Sequence, residues 1–161
     1  MLFRSNGPLE GRSLGRLLAL FPQQLMGERT RHFDRFPLLL KYLDVRTRLS
    51  VQVHPSDAHA KLVPAGDTGK TEAWIVLEAG PAARVFAGWK APVSPTSLRA
   101  AIADGSVAEL LASFTPKSGD AILIPAGTVH SLADVVVFEA QQNSDVTFRL
   151  HDWNQDRKSV V

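Results

Sequence analysis

The chain has no cysteine among its 161 residues, so disulfides and thiolate metal ligands are both excluded. Any metal site must draw on His, Asp, Glu, Gln or water. No apolar run approaches the roughly 18 to 20 residues of a membrane-spanning helix, and no membrane binding is expected. The amino terminus lacks the basic, apolar and small-residue succession of a secretory signal, which leaves the cytoplasm as the expected location. Aromatic residues are sparse at 7%, and the net charge is only +2. Basic residues gather mildly at Arg29, Arg31 and Arg35 and again at Arg46 and Arg48. Aspartates interrupt them and no aromatic stacking platform accompanies them, so a solvated face is expected and no nucleic-acid partner.

What remains is an ordinary globular composition, 45% hydrophobic and 21% charged, on a chain long enough for one well-buried domain. A single domain over residues 1–161 is expected, with residues 155–161 as a polar tail. Ser13 is a good N-cap for a short helix that breaks near Pro22 and closes at Gly27. PLLLKYL and RLSVQVH read as neighbouring strands, SDAHAKL as a helical turn opened by Ser56, and PAGDTGK as a loop. EAWIVLEA and ARVFAGW read as two strands with a turn at Gly80 and Pro81. SPTSLRAAIADGSVAELLASF is the clearest helical part, capped by Ser94 or Thr96 and divided at Asp104-Gly105. DAILIPAG, TVHSLA, VVVFEAQQ and VTFRLHDW then read as four strands. Short strands at roughly 8 to 12 residue intervals with Gly/Pro turns predict an antiparallel sandwich or small barrel.

LSVQVHPSDAHA sets the functional question. A strand sends successive side chains to opposite faces. Here Leu49, Val51 and Val53 share one face, and Ser50, Gln52 and His54 share the other. Three further segments supply matching polar groups: Glu72 in GKTEAW, His130 in IPAGTVHSL, and Arg149 in TFRLHDW, with Glu139 and Gln141 shortly before it. Imidazole and carboxylate are good zinc ligands, and two His with one Glu leave a position open for water or substrate, as in catalytic sites. Gln52 is the weakest donor of the set. The turn Pro125 to His130, Pro-x-Gly-x-x-His, aims its histidine into a barrel mouth. Read one at a time, each has a plainer use: a hydrogen-bonded core histidine, a solvated glutamate, or Arg149 paired with Asp145 or Asp152.

FPLLLKYLD, LSVQVHPSDAHA, GKTEAWIVLEA, GDAILIPAGTVHSL and EAQQNSDVTFRLHDWN, in order from about Asn6 to Asn154, resemble the type I mannose-6-phosphate isomerases, which are zinc-dependent cupin enzymes. The resemblance implies a mainly β fold: a single cupin-type antiparallel barrel, or jelly roll, with short amino-terminal and inserted helices. It implies the metal ligands Gln52, His54, Glu72 and His130, and a Zn2+ cofactor, with iron or manganese as other divalent candidates. It also implies that Ser50, Lys41 and Lys70 line a sugar-phosphate pocket and that Arg149 acts near the reacting carbons. The implied reaction interconverts mannose 6-phosphate and fructose 6-phosphate through a cis-enediol, with Lys70 as one candidate for the proton-transferring base. His32, His59 and His151 stand outside the set and are expected to be structural or solvated. Trp74, Trp89 and Trp153 are expected in the core or at its rim.

The chain departs from the family pattern in length. Members usually begin with a further segment carrying a Trp-Gly motif and continue into a second β-domain, and the usual Arg after Trp-Asn is missing here. Two readings follow. The first is a minimal isomerase. The alternative is a non-catalytic metal- or sugar-binding cupin, or half of a split enzyme. An exposed apolar patch is expected on either, with a homodimer or a separate domain as its partner.

Overall fold

The computed structural model describes residues 7–30, 33, 35–65 and 67–153. The expectations for Arg31, for His32 and for the tail after Trp153 lie outside them. The chain divides into two compact units, residues 1–39 and residues 40–161.

In the first unit, α1 (Leu14–Leu20) starts where Ser13 accepts a hydrogen bond from the Arg16 amide at 3.2 Å. That satisfies one of the amides a helix start leaves open. α2 (Pro22–Met26) begins on a proline, which has no N–H to leave unbonded there, and ends at Gly27 with φ 71. Both boundaries match the sequence reading.

The second unit is built on a seven-stranded antiparallel sheet whose first strand opens two residues before residue 40: β1 (Leu38–Arg48), β2 (Val51–Val53), β3 (Glu72–Trp89), β4 (Leu111–Phe114), β5 (Ala121–Ile124), β6 (His130–Gln142) and β7 (Phe148–His151). The order is β4-β3-β6-β2-β7, with β5 also on β3 and β1 also on β6. β3 and β6 form the central pair, from Glu72↔Gln141 at one end to Ala87↔His130 at the other. Although these pairs lie at opposite ends of one ladder, His130 Nε2 is 3.4 Å from Glu72 Oε2. The sheet therefore curls until its ends face each other, the jelly-roll arrangement. It stays open, since no pairing joins β7 to β4 or β5 among the described residues.

Four details differ from expectation. EAWIVLEA and ARVFAGW are one strand, β3, because Gly80 and Pro81 lie in a bulge and not a hairpin turn. The register slips between Ala79 and Arg84, so the missing N–H of Pro81 falls where no ladder bond is required. Opposite the bulge, Asp134 takes φ 50 and accepts the Ala82 amide at 2.8 Å. TVHSLA and VVVFEAQQ are likewise one strand, β6, carried through Asp134. LASF leaves the predicted helix to become β4, drawn into strand geometry by pairing with Val85 to Trp89. The expected neighbours β1 and β2 follow one another along the β6 edge that β3 leaves free.

α3 (Pro95–Asp104) opens on Ser94, which exchanges hydrogen bonds with Ser97, and closes at Gly105 with φ 81. Two apolar clusters fill the curl. One joins Val45, Trp74, Val76, Val85, Leu132, Val135 and Val137. The other joins Val51, Val107, Leu111 and Val129 with Ala101 of α3. At about 1.5–3 kcal/mol for each large apolar side chain buried, these clusters are the main stabilising contribution. On the outer face Leu40, Tyr42, Ile75 and Leu123 are exposed.

Candidate metal centre

His54 follows directly on β2, Glu72 opens β3 and His130 opens β6. All three are buried, and one potential ligand atom from each lies within 4.8 Å of the others. Backbone carbonyls fix both imidazoles: His54 Nδ1 is 2.9 Å from the Val146 oxygen, and His130 Nδ1 is 2.8 Å from the Thr128 oxygen. A neutral ring that donates through Nδ1 carries its lone pair on Nε2. The two Nε2 atoms face the carboxylate of Glu72 at 3.3 and 3.4 Å. His54 Nε2 and Glu72 Oε2 have no hydrogen-bond partner. Lone pairs facing lone pairs repel unless a cation lies between them. A divalent ion fits this donor set, with the imidazoles oriented from behind as ligating histidines are.

The electrostatics keep the set in its ligand form. Burial pushes Glu72 upward, but the neighbouring His54 ring and the Lys70 ammonium outweigh it and hold the carboxyl at about 2. Burial pushes His130 down to about 4, against the Thr128 carbonyl and the Glu72 charge. At neutral pH the carboxylate is charged and the His130 ring is neutral, as metal binding requires.

Gln52 lies between two strands, in register with His130 on one side and Arg149 on the other. Its amide nitrogen is 3.2 Å from His130 Nε2, and its oxygen is 3.4 Å from Ser50 Oγ. Lys70 is buried, with Nζ 2.9 Å from Glu72 Oε1. Arg149 is exposed at its end of the row and makes no ion pair among the described residues, with neither Asp145 nor any other carboxylate. Lys41 Nζ pairs with Glu139 Oε1 at 2.9 Å. Glu139 also accepts the Trp74 indole N–H at 2.8 Å, and that indole stands edge-on to His130 with centroids 5.5 Å apart.

The buried role of Glu139 was not read from the sequence, although the strand period contains the signal. Beyond Asp134, the inward residues of β6 are Val135, Val137, Glu139 and Gln141. His59 is exposed and bonded to Ser56 Oγ at 2.8 Å, and His151 stands edge-on to Trp153. Both therefore have structural uses. Trp153 donates to the Leu49 carbonyl at 2.7 Å, under the guanidinium of Arg48. None of the described helices is long and apolar enough to cross a membrane.

Residues 4–73 match the family described as phosphomannose isomerase type I, catalytic domain. The chain is 43% identical over 128 residues to mannose-6-phosphate isomerase ManA of Bacillus subtilis (strain 168), covering 79% of this chain and 40% of that protein. It is 44% identical over 124 residues to the mannose-6-phosphate isomerase of Streptococcus mutans, covering 76% of this chain and 38% of the relative. The crystal structure of the mannose 6-phosphate isomerase from Bacillus subtilis superposes with a TM-score of 0.84 at 37% identity, covering 95% of this chain and 48% of that one. The chain thus spans less than half the length of these relatives. The sequence match and the shared curled sheet make this chain similar to the catalytic region of the type I phosphomannose isomerases.

Proposed function

We propose that the chain is a metal-dependent aldose–ketose isomerase acting on hexose 6-phosphates, interconverting mannose 6-phosphate and fructose 6-phosphate in the cytoplasm. The observation that carries the proposal is the buried His54, Glu72 and His130 triad, whose facing lone pairs suit a divalent cation. Zinc is the ion that imidazole and carboxylate donors favour, and when bound it polarises carbonyl and hydroxyl oxygens of the sugar. Gln52 completes the donor set when its amide turns to present Oε1 in place of the nitrogen.

The remaining roles belong to side chains around that triad. Isomerisation moves a proton from C2 to C1 of the open-chain aldose, and the hydroxyl proton at O2 is exchanged for one at O1. Lys70 Nζ is our candidate for the atom that takes the proton from C2 and returns it to C1, acting as the free amine after its ammonium has released a proton. Its contact with Glu72 keeps it beside the triad. Arg149 presents a fixed positive charge to the oxygens of the enediol, and its row with Gln52 and His130 supports that role. Ser50, Lys41 and Lys70 are assigned to the sugar phosphate. Lys41 reaches it after leaving Glu139, which makes its assignment the most demanding.

A coupled assay of mannose 6-phosphate conversion to fructose 6-phosphate, with zinc and after chelation, tests the proposal. Zinc-dependent turnover is the expected result. No turnover by folded, zinc-loaded protein overturns it in favour of a binding module.

A further inference from the structure

Lys70 and Glu72 act from one short segment, and that segment is held by side chains to which neither the family resemblance nor the triad assigns a task. Asp57 Oδ1 accepts the Gly69 amide at 2.6 Å. Asp57 Oδ2 accepts from Gln142 Nε2 at 3.2 Å, and Gln142 Oε1 accepts the Thr71 amide at 2.8 Å. The Gln142 amide in turn donates to the Thr71 carbonyl at 3.0 Å, and the Lys70 amide to the Pro55 carbonyl at 3.0 Å. Gly69 is buried against this junction: a Cβ there would lie 2.5 Å from the Asp57 nitrogen. Thr71 Oγ1 accepts the Ala126 amide at 3.2 Å, and the Gly127 amide donates to the His54 carbonyl at 2.7 Å. The strand ends that carry His54, Glu72 and His130 are thereby tied to one another.

We infer that Asp57 and Gln142 are positioning residues, a polar clasp that fixes the backbone on both sides of Lys70 and so sets Nζ against Glu72 and the substrate. The inference deepens the isomerase reading and rests on it for its effect on turnover. The bonding order is directional. Asp57 accepts twice, while Gln142 donates through nitrogen and accepts through oxygen. Its amide cannot turn over without losing Thr71.

This directionality supplies the test. Asp57→Asn sets an amide N–H against the Gln142 N–H, and Gln142→Glu sets two carboxylates together. Each single change breaks the link. In the double variant all three hydrogen bonds reform: the Gly69 and Thr71 amides still donate, only the bond between side chains 57 and 142 reverses, and net charge is unchanged. Each single variant is expected to lower kcat/KM about 10- to 100-fold, the usual effect of losing an outer partner of a ligand set. Amide exchange at Gly69, Lys70 and Thr71 should accelerate in both singles. The double variant should recover most of both losses. In a Lys70→Ala background, Asp57→Asn should change kcat/KM little further, because its effect passes through Lys70.

Failure of the double variant to recover exchange protection at the three amides overturns the clasp. So does an Asp57→Asn loss that persists undiminished without Lys70, which marks a merely structural effect. If the parent protein shows no turnover, the isomerase reading fails by itself. The exchange pattern and the zinc dissociation constant of the three variants still decide the clasp.

Discussion

Replacing Glu72 by Gln in the metal-free protein isolates the charge at the centre of the site. The carboxylate is buried and faces a buried ammonium, Lys70 Nζ, at 2.9 Å. Its proton affinity falls from the ordinary 4.5 to about 2 on folding. At about 1.4 kcal/mol for each pH unit, that fall stabilises the folded state by about 3 kcal/mol at pH 7. The independent expectation for a buried ion pair that loses one partner is about 3–5 kcal/mol. For a chain of this size the loss corresponds to a melting temperature lower by about 6–12 °C. The sign with pH follows from the depressed value. The stabilisation is complete above 4.5, shrinks as pH falls, and vanishes once pH has passed through about 2. At pH 3 roughly 1 kcal/mol remains. Urea unfolding of chelator-treated parent and Glu72→Gln protein at pH 7, 5, 4 and 3 measures the difference directly. The two stabilities should lie about 3 kcal/mol apart at pH 7 and converge toward pH 3. Adding Lys70→Met should recover part of the loss, because no unpaired charge then stays buried. A difference below about 1 kcal/mol at pH 7, or one that does not narrow with acid, refutes the reasoning.

Three other perturbations have defined outcomes. His130 is neutral when folded down to about 4 but takes a proton near 6.5 when unfolded. The metal-free protein should therefore lose about 3 kcal/mol as pH falls from 6.5 to 4, and His130→Gln should flatten that portion of the urea-midpoint curve. Arg149→Ala should lower kcat by about 10²–10³ while zinc affinity, read by competition with a chromogenic chelator, stays unchanged. Gly80→Ala would put a methyl carbon 2.2 Å from the Asp134 carboxylate, breaking the bulge bond to Ala82. Thermal melting should show a loss of about 1–3 kcal/mol, and Asp134→Ala in the same chain should relieve much of the collision.

Much of this site could be read from strand periodicity. Ser50, Gln52 and His54 alternate with Leu49, Val51 and Val53, and the structure gives that pattern two apolar clusters and one polar face. The histidine after Pro125-Ala126-Gly127 lies beside Glu72, as a turn aimed into a barrel mouth suggests. The continuity of the long strands was hidden. Gly80-Pro81 has the chemistry of a turn, and only the carboxylate of Asp134, more than fifty residues away, makes it a bulge. The β4 residues have helical propensity but take their conformation from β3, a tertiary effect that local preference does not contain. Lys41 was assigned to the phosphate by resemblance alone, and its pairing with Glu139 depends on how β1 lies along β6.

The curl of the β3–β6 ladder also orders events in time. His54, Glu72 and His130 come from well-separated parts of the chain, and Glu72 and His130 sit at opposite ends of a single strand pair. The pairing of β3 with β6 by itself leaves Glu72 and His130 apart, and no local helix brings them together. The ligand set exists only after the sheet has bent on itself, which makes the site one of the most non-local features of the chain and a late product of folding. A cation that binds the completed triad therefore slows unfolding of the bent sheet and leaves the rate of forming it nearly unchanged.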